Sequence, residues 1–307
     1  MVPDGFRSLS SHLTIWRMAM HVGMRIPGRM QRELGFEGVV NWASERGLGS
    51  VDVPDASAQA QKQFRDAGLE IGTVDFGIGG GLLNKDGRAR RKAVTAAKKR
   101  IRDTARYGSG VIFFCVEPGE RTQTRGESLD LFEKSYPEVI AYAEEQDVHL
   151  AIEPYPGGGP YYPNLGCTPE TLRVIFEIVP SPNLGICFDP SHFIRIGVDY
   201  QRLLMEFGDR VRHVHAKDTE LLADGLYNYG TLGQSSGRRY GHGEGWWRYC
   251  IPGWGAADWR WIVARLEEIG YDGPLAIELE DDRFMETVEL NKEGILTAKD
   301  FLEGILR

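Results

Sequence analysis

The hydrophobic pattern alternates between two kinds of segment. Short runs rich in β-branched and aromatic residues are each followed by a longer stretch with apolar residues three and four positions apart. This order builds parallel sheets from strand–helix units. The predicted strands lie at 11–16, 49–53, 69–76, 111–116, 148–153, 184–189, 211–216 and 275–279. The predicted helices lie near 29–46, 57–67, 86–107, 128–146, 169–178, 199–207, 257–269 and 287–306.

Eight such units predict an α/β protein that is a single (β/α)8 TIM barrel over residues 1–307. Right-handed crossovers close a chain of this length most simply in that way. A doubly wound open sheet is the alternative, but no predicted strand is followed by the glycine-rich GxGxxG or GxxxxGK[ST] turns that such sheets use to bind phosphates. In the seventh helix, Asp258 is the expected N-terminal cap.

One connection, residues 219–256, is far longer than the rest and shows no clear periodicity. We expect it to form a long loop over the C-terminal mouth of the barrel, where aromatic faces pack on sugar C–H groups. Trp246 and Trp247 are its predicted substrate contacts, and a purely structural packing loop is the alternative. The aromatic residues of this segment are Tyr227, Tyr229, Tyr240, Trp246, Trp247, Tyr249 and Trp254.

Composition narrows the function classes. The formal charge of −8 argues against nucleic-acid binding, because phosphate-backbone binders normally carry a basic surplus. No apolar run reaches membrane-spanning length, so we expect a soluble cytoplasmic protein with no membrane partner. The four cysteines are widely spaced and form no CxxC pair, which predicts reduced packing residues. A homo-oligomer is compatible with this composition.

Polar side chains end four of the predicted strands. Glu153, Asp189 and Glu278 each close an apolar strand, and His215 lies near the end of a fourth. In a barrel these ends converge on one site. Three carboxylates in one desolvated place repel each other unless a cation holds them, so the set predicts one divalent metal ion. Mixed carboxylate and imidazole ligation favours Mn²⁺, with Co²⁺, Mg²⁺ or Zn²⁺ as alternatives.

Three runs resemble the sugar phosphate isomerase/epimerase family of xylose-isomerase-like barrels. They are Leu-Gly-Ile-Cys-Phe-Asp-Pro-Ser-His-Phe ending at 193, Val-Arg-His-Val-His-Ala-Lys-Asp-Thr ending at 219, and Gly-Tyr-Asp-Gly-Pro-Leu-Ala-Ile-Glu-Leu-Glu-Asp ending at 281. The family includes ketose 3-epimerases, hydroxypyruvate isomerases and inosose dehydratases. The resemblance implies that Glu153, Asp189, His215 and Glu278 bind the metal and that His192 contacts a substrate hydroxyl.

The chain departs from the epimerases of this group at two positions. Leu221 stands where they carry an arginine, and Gly159 stands where they carry a second glutamate. Substrate contacts are therefore expected from other polar residues near the mouth, and Glu278 is preferred over Glu280 as metal ligand because it lies deeper. The candidate substrate contacts are Lys217, Arg238, Arg239 and His242.

The resemblance implies a metal-dependent sugar isomerase or epimerase. Glu153 and Glu278 would be the catalytic acid and base, removing a proton next to a carbonyl through a metal-stabilised enediolate. The alternative is a lyase or dehydratase that acts on an inosose, a 3-oxo sugar or a 3-oxo glycoside by β-elimination. Two further alternatives are a DNA-repair endonuclease, disfavoured by the acidic charge, and a non-catalytic sugar-binding subunit.

Overall fold

A closed barrel of eight parallel strands forms the centre of the molecule in the computed structural model, which describes residues 20–159, 161–237 and 241–307. Around the barrel the strands follow the order β1, β10, β7, β6, β5, β4, β3, β2, which confirms the predicted fold class. The barrel strands are β1 (His21–Arg25), β2 (Ser50–Val53), β3 (Glu70–Asp75), β4 (Val111–Phe114), β5 (His149–Ile152), β6 (Leu184–Phe188), β7 (Val211–Ala216) and β10 (Pro274–Ile277).

Helices follow the strands and pack around the barrel. Thr124 and Glu127 form a reciprocal capping box at the start of α4, and the predicted cap at Asp258 is confirmed, since its side chain accepts a hydrogen bond from the backbone N–H of Trp261. The helices are α1 (Gly28–Glu45), α2 (Ala58–Ala67), α3 (Gly87–Tyr107), α4 (Arg125–Glu145), α5 (Pro169–Ile178), α6 (Pro190–Ile194), α7 (Tyr200–Phe207), α8 (Ala223–Tyr229), α9 (Trp259–Glu268) and α10 (Val288–Leu306). No helix of the described ranges is both long and apolar enough to cross a membrane.

The first barrel strand is not the predicted one. The strand predicted at 11–16 lies outside the described residues, and β1 occupies its place in the barrel. Gly23 in the middle of β1 weakens the local strand pattern. The closure of the barrel requires this glycine, since a Cβ there would lie only 2.2 Å from Ser50 Oγ on the neighbouring strand.

The segment 219–256, predicted as one long loop over the mouth of the barrel, includes regular secondary structure. The segment contains a strand, a helix and a second strand, in which β8 (Asp218–Leu221) pairs antiparallel with β9 (Trp247–Cys250). We call this β8–α8–β9 unit the insertion. Each strand has only four residues, and the pairing joins positions far apart in the chain. No local hydrophobic pattern therefore predicts these two strands.

Asp218 fastens the insertion to the barrel. Its carboxylate accepts hydrogen bonds from the backbone N–H groups of Thr219, Gly253 and Ala257 and from the indole N–H of Trp259. A fully buried carboxylate with four donors joins both ends of the insertion to α9. The insertion is therefore held in place over the strand ends that precede and follow it.

Candidate active site

The four predicted metal ligands meet at the carboxyl ends of the barrel strands. Glu153 follows β5, Asp189 follows β6 and Glu278 follows β10, while His215 lies within β7. One ligand atom from each residue lies within 4.8 Å of those of the other three. Glu153, Asp189 and His215 are buried, and Glu278 is partly exposed. The barrel topology thus assembles in space a set that is spread over more than a hundred residues of sequence.

His215 lies between two carboxylates. Its Nδ1 is 2.7 Å from Glu153 Oε1, and its Nε2 is 3.2 Å from Asp52 Oδ2. Burial lowers the pKa of His215, but the negative charges of Glu278 and Glu153 and the hydrogen bond with Asp52 outweigh it, so the pKa lies well above its ordinary value. Without a metal ion, both ring nitrogens can therefore donate to carboxylates.

Lys217 supplies positive charge to the same cluster. Its Nζ lies 2.5 Å from Glu278 Oε2, 2.9 Å from Glu280 Oε2 and 3.3 Å from Asp189 Oδ2, and the residue is only 1% exposed. Desolvation lowers the pKa of Lys217, but the negative charges of these carboxylates outweigh it, so the pKa lies well above the ordinary value. The ammonium group therefore balances the acidic cluster, and its predicted contact with substrate stays a prediction.

The donor set fits a divalent cation. Asp189 Oδ1 accepts a hydrogen bond from the backbone N–H of Ser191, whereas its buried Oδ2 accepts none within the described parts of the chain. Lys217 Nζ at 3.3 Å and His192 Nε2 at 3.4 Å are close to Oδ2 but do not hydrogen-bond to it. A buried carboxylate oxygen that accepts no hydrogen bond, beside two further carboxylates and an imidazole, suits a hard or borderline cation.

A cavity of about 410 Å³ opens above this cluster and has the size of a small-molecule site. We call it the catalytic cleft. Glu153, Glu278 and Lys217 form part of its floor, and Trp247 and Tyr249 of the insertion line its wall. The predicted contact His192 also lines it. A cleft with carboxylates at its base and aromatic faces on its side can hold a polyhydroxylated ring.

Two further predicted substrate contacts are Trp246, which lines another cavity, and Arg239, which is not among the described residues. Trp246 is buried against Trp247 and Tyr249 but lines a different cavity, so the structure does not place it at the cleft. Arg239, like Arg238, lies outside the described residues. Another candidate, His242, does line the cleft, where its Nδ1 lies 2.9 Å from Asp282 Oδ1.

Two charged residues of the site, Asp52 and Arg25, were not predicted from the sequence. Asp52 lies on β2, and its carboxylate contacts His215 inside the barrel. Because Asp52 falls near the end of a predicted strand, it could have been recognised in the same way as the other strand-end residues. Arg25 lies at the end of β1, pairs with Asp75 at 2.8 Å, and places its Nε 3.3 Å from Glu278 Oε1. No signal pointed to Arg25, because its strand itself was not predicted.

Comparisons with known proteins agree with this architecture. A family model described as "Xylose isomerase-like TIM barrel" matches residues 30–304. Among solved structures, a xylose isomerase domain protein from Alicyclobacillus acidocaldarius superposes with a TM-score of 0.69 at 18% identity, covering 94% of this chain and 98% of that one. D-psicose 3-epimerase from Clostridium cellulolyticum H10 also gives a TM-score of 0.69, at 15% identity, covering 94% of this chain and all of that one. These two likenesses establish the fold.

Curated relatives match over shorter stretches. An inosose dehydratase from Lacticaseibacillus casei is 25% identical over 150 residues, which is 48% of this chain and 47% of that protein. A protein from Methanocaldococcus jannaschii whose function is uncharacterized is 28% identical over 154 residues, 50% of this chain and 44% of its own length. The matched part therefore spans about half the length of these relatives.

Proposed function

The chain belongs to the xylose isomerase-like TIM-barrel family, and from this premise we propose that it is a metal-dependent sugar isomerase or epimerase that removes a proton from the carbon beside a carbonyl group. The observation that carries this proposal is the convergence of Glu153, Asp189, His215 and Glu278 within 4.8 Å, with the two glutamates lining the catalytic cleft. Such a site combines a cation site with carboxylates that can exchange protons.

The proposed metal ligands are these four residues, with Mn²⁺ as the proposed ion. When bound, a divalent cation would supply positive charge that stabilises an oxyanion developing on the substrate carbonyl. Glu153 and Glu278 then differ from Asp189 in lining the open cleft, while Asp189 is completely buried. The two glutamates are therefore the residues that can reach a substrate C–H group.

The surroundings of both glutamates favour the ionised carboxylate. Burial raises both pKa values, and the negative charge of Glu278 also raises that of Glu153. His215 and His192 outweigh these effects at Glu153, and Lys217, His215 and Arg25 outweigh burial at Glu278, so both pKa values lie below the ordinary range. An ionised carboxylate can accept the proton from carbon, and the protonated acid can return it. Return to the same carbon from the other face gives an epimer, and return to the neighbouring carbon gives an isomer.

Dehydration is the second candidate function. The relatives that favour it are the inosose dehydratases, such as the one from Lacticaseibacillus casei. In this outcome a glutamate takes the proton from the carbon beside the carbonyl, the C–O bond of the β-hydroxyl breaks, and the hydroxyl leaves as water after receiving a proton. His192 is the proposed acid, since it lines the cleft and its Nδ1 lies 2.6 Å from the Tyr249 hydroxyl, which can orient the ring.

Proton exchange tests the proposal. Purified protein loaded with Mn²⁺ is incubated in deuterated water with ketoses, inososes and 3-oxo glycosides, and the sugars are analysed by NMR and mass spectrometry. We expect deuterium on the carbon beside the carbonyl of at least one compound. A new stereoisomer or aldose supports isomerase chemistry, whereas loss of water or of an aglycone supports elimination.

Three matched samples serve as controls for the assay. Protein treated with a chelator and the double variant Glu153→Gln, Glu278→Gln should both lose exchange, while the surface variant Glu268→Gln should retain it. Absence of exchange with every compound, despite one bound metal ion per chain, would overturn the proposed proton abstraction. Exchange that persists in the double variant would overturn the assignment of the two glutamates.

A further inference from the structure

A second cavity lies behind the wall of the catalytic cleft. It has a volume of about 540 Å³, within the range of small-molecule sites, and we call it the arginine pocket. The two cavities adjoin: Tyr155 lines the cleft, the next residue Pro156 lines the arginine pocket, and Arg195 lines both. Apolar side chains form much of its lining, including Pro156, Ile196, Val198 and Leu226. The pocket is thus suited to a ligand with an apolar body.

The pocket carries positive charge without an acidic partner. Arg125 and Arg195 both line it, and no aspartate or glutamate does. In the described ranges of the chain, neither arginine has a carboxylate oxygen within the 4.0 Å of an ion pair, although the protein as a whole has a net charge of −8. A cationic, apolar pocket in an acidic protein is complementary to an organic anion.

Arg195 is buried at 3% exposure, where an uncompensated charge is costly. Its guanidinium group donates hydrogen bonds to the Tyr249 hydroxyl and to the backbone carbonyl of Gly157. The guanidinium carbon also lies 4.6 Å from the centre of the Trp247 ring and 5.2 Å from that of Tyr155. Aromatic faces offset part of the desolvation cost, but an anion would offset more.

Two buried donors of the lining are unpaired. Arg195 Nε and Trp246 Nε1 have no hydrogen-bond partner in the described part of the chain, and Trp246 is 8% exposed. Buried N–H groups without an acceptor cost free energy, so such groups call for an explanation. Because both groups only donate, the missing partner must be an acceptor. A carboxylate oxygen meets this requirement and matches the charge.

We propose that the arginine pocket is a binding site for an organic carboxylate with a flat, apolar body such as an aromatic ring system. Arg125, exposed at the start of α4, and the buried Arg195 pair with the carboxylate, while Val198 and Leu226 pack against the body. The site is distinct from the metal-ligand cluster and does not depend on the proposed function.

A hydrogen-bonded path joins this site to the catalytic cleft. Arg195 donates to the Tyr249 hydroxyl, and that oxygen lies 2.6 Å from His192 Nδ1 at the cleft floor. The carboxylate could therefore belong to a free molecule that occupies the pocket alone, or to the anionic part of a larger substrate whose sugar lies in the cleft. Both sources present the same chemistry to the two arginines.

Calorimetric titration with 2-naphthoate tests the site, with its neutral analogue 2-naphthamide as the matched ligand. We expect one naphthoate per chain and at least roughly tenfold weaker binding of the amide, because hydrogen bonds from arginine to a charged carboxylate are stronger than those to a neutral amide. Arg125→Gln should weaken naphthoate binding about tenfold for the same reason. Arg121→Gln, which removes an exposed arginine of the same region that does not line the pocket, should leave it unchanged.

Val198→Trp fills the pocket and should abolish naphthoate binding, with the folded state checked by the melting temperature. Equal affinity for acid and amide, equal effects of the two arginine variants, or no binding to the wild type would overturn the proposal. The titration measures binding only, so its result is independent of whether the protein has the proposed enzymatic activity.

A glucoside of 6-hydroxy-2-naphthoate identifies the source. Tighter binding of the glucoside than of naphthoate assigns the carboxylate to a larger substrate, and weaker binding assigns it to a free molecule. In either case the effect of Arg125→Gln must persist if the arginine pocket is the site.

Discussion

Asp52 Oδ2 lies 2.9 Å from His213 Nε2 and 3.2 Å from His215 Nε2, so one buried carboxylate oxygen holds two histidines of β7. Its other oxygen accepts a hydrogen bond from the backbone N–H of Thr73 at 2.8 Å. A Cβ at Gly72 would lie 2.2 Å from Asp52 Oδ1, so the glycine provides the space for this carboxylate. Asp52 is therefore placed to orient His215, whose Nδ1 faces the proposed metal site.

We expect Asp52→Asn to weaken Mn²⁺ binding by about 10- to 100-fold, because the carboxylate that orients a ligating histidine also raises its basicity. The measurement is a metal titration by calorimetry on protein first stripped with a chelator. Asp209→Asn, an exposed change in the short turn that precedes β7, is the control and should leave the Mn²⁺ affinity unchanged. Equal Mn²⁺ affinities of the two variants would mean that Asp52 has a purely structural role.

Acid stability offers a second test of Asp52. Burial raises the pKa of this carboxyl, but the charges and hydrogen bonds of His213 and His215 outweigh burial and hold it below the ordinary range. A depressed pKa stabilises the fold above the unfolded-state pKa near 4, and this stabilisation is lost as the pH falls towards the folded-state value. We therefore expect the metal-free wild type to lose stability between about pH 4 and pH 2 more steeply than Asp52→Asn, by up to about 1.4 kcal/mol per pH unit.

Urea unfolding at a series of pH values measures this slope for both proteins. Parallel slopes would mean that Asp52 takes up its proton equally in the folded and unfolded states, contrary to the buried geometry.

Removal of the proposed proton-transfer groups should abolish most turnover. Glu153→Gln and Glu278→Gln each keep the shape of the side chain, so we expect losses of about 10² to 10⁴-fold in kcat with an unchanged melting temperature. Glu280→Gln is the comparison, since Glu280 also bonds to Lys217 Nζ but lies outside the set of four converging ligand atoms. Its loss should be much smaller, and a loss as large as that of Glu278→Gln would exchange the roles of these two residues.

The neighbouring tryptophans of the insertion should have separable effects. Trp247 lines the catalytic cleft, so Trp247→Leu should raise KM about two- to tenfold through the lost ring contact. Trp246 lines the arginine pocket instead, so Trp246→Leu should weaken the binding of 2-naphthoate and leave unchanged the KM of a sugar that carries no anionic group. Steady-state kinetics and calorimetry on both variants check the pair, and a KM effect in Trp246→Leu alone would show that the two side chains have exchanged roles.

Site residues at strand ends could be predicted where the local hydrophobic pattern was strong. The apolar strands before Glu153, Asp189 and Glu278 are read directly from the sequence, and parallel topology then requires their ends to meet. The same reasoning failed at β1, where a glycine interrupts a five-residue strand, and Arg25 was lost with it. It failed again in the insertion, whose two strands pair across a long intervening segment.

The sequence by itself determined the barrel and the set of converging acidic and imidazole side chains, because strand periodicity and chain direction are local properties that dictate which ends come together. Only the tertiary structure decided that Asp52 holds His215, that Lys217 balances the carboxylates, and that Trp246 and Trp247 face different cavities. These relationships depend on distances across the barrel and on the packing of the insertion. Such distances are set when the whole barrel closes, and they produce no periodic pattern in the sequence.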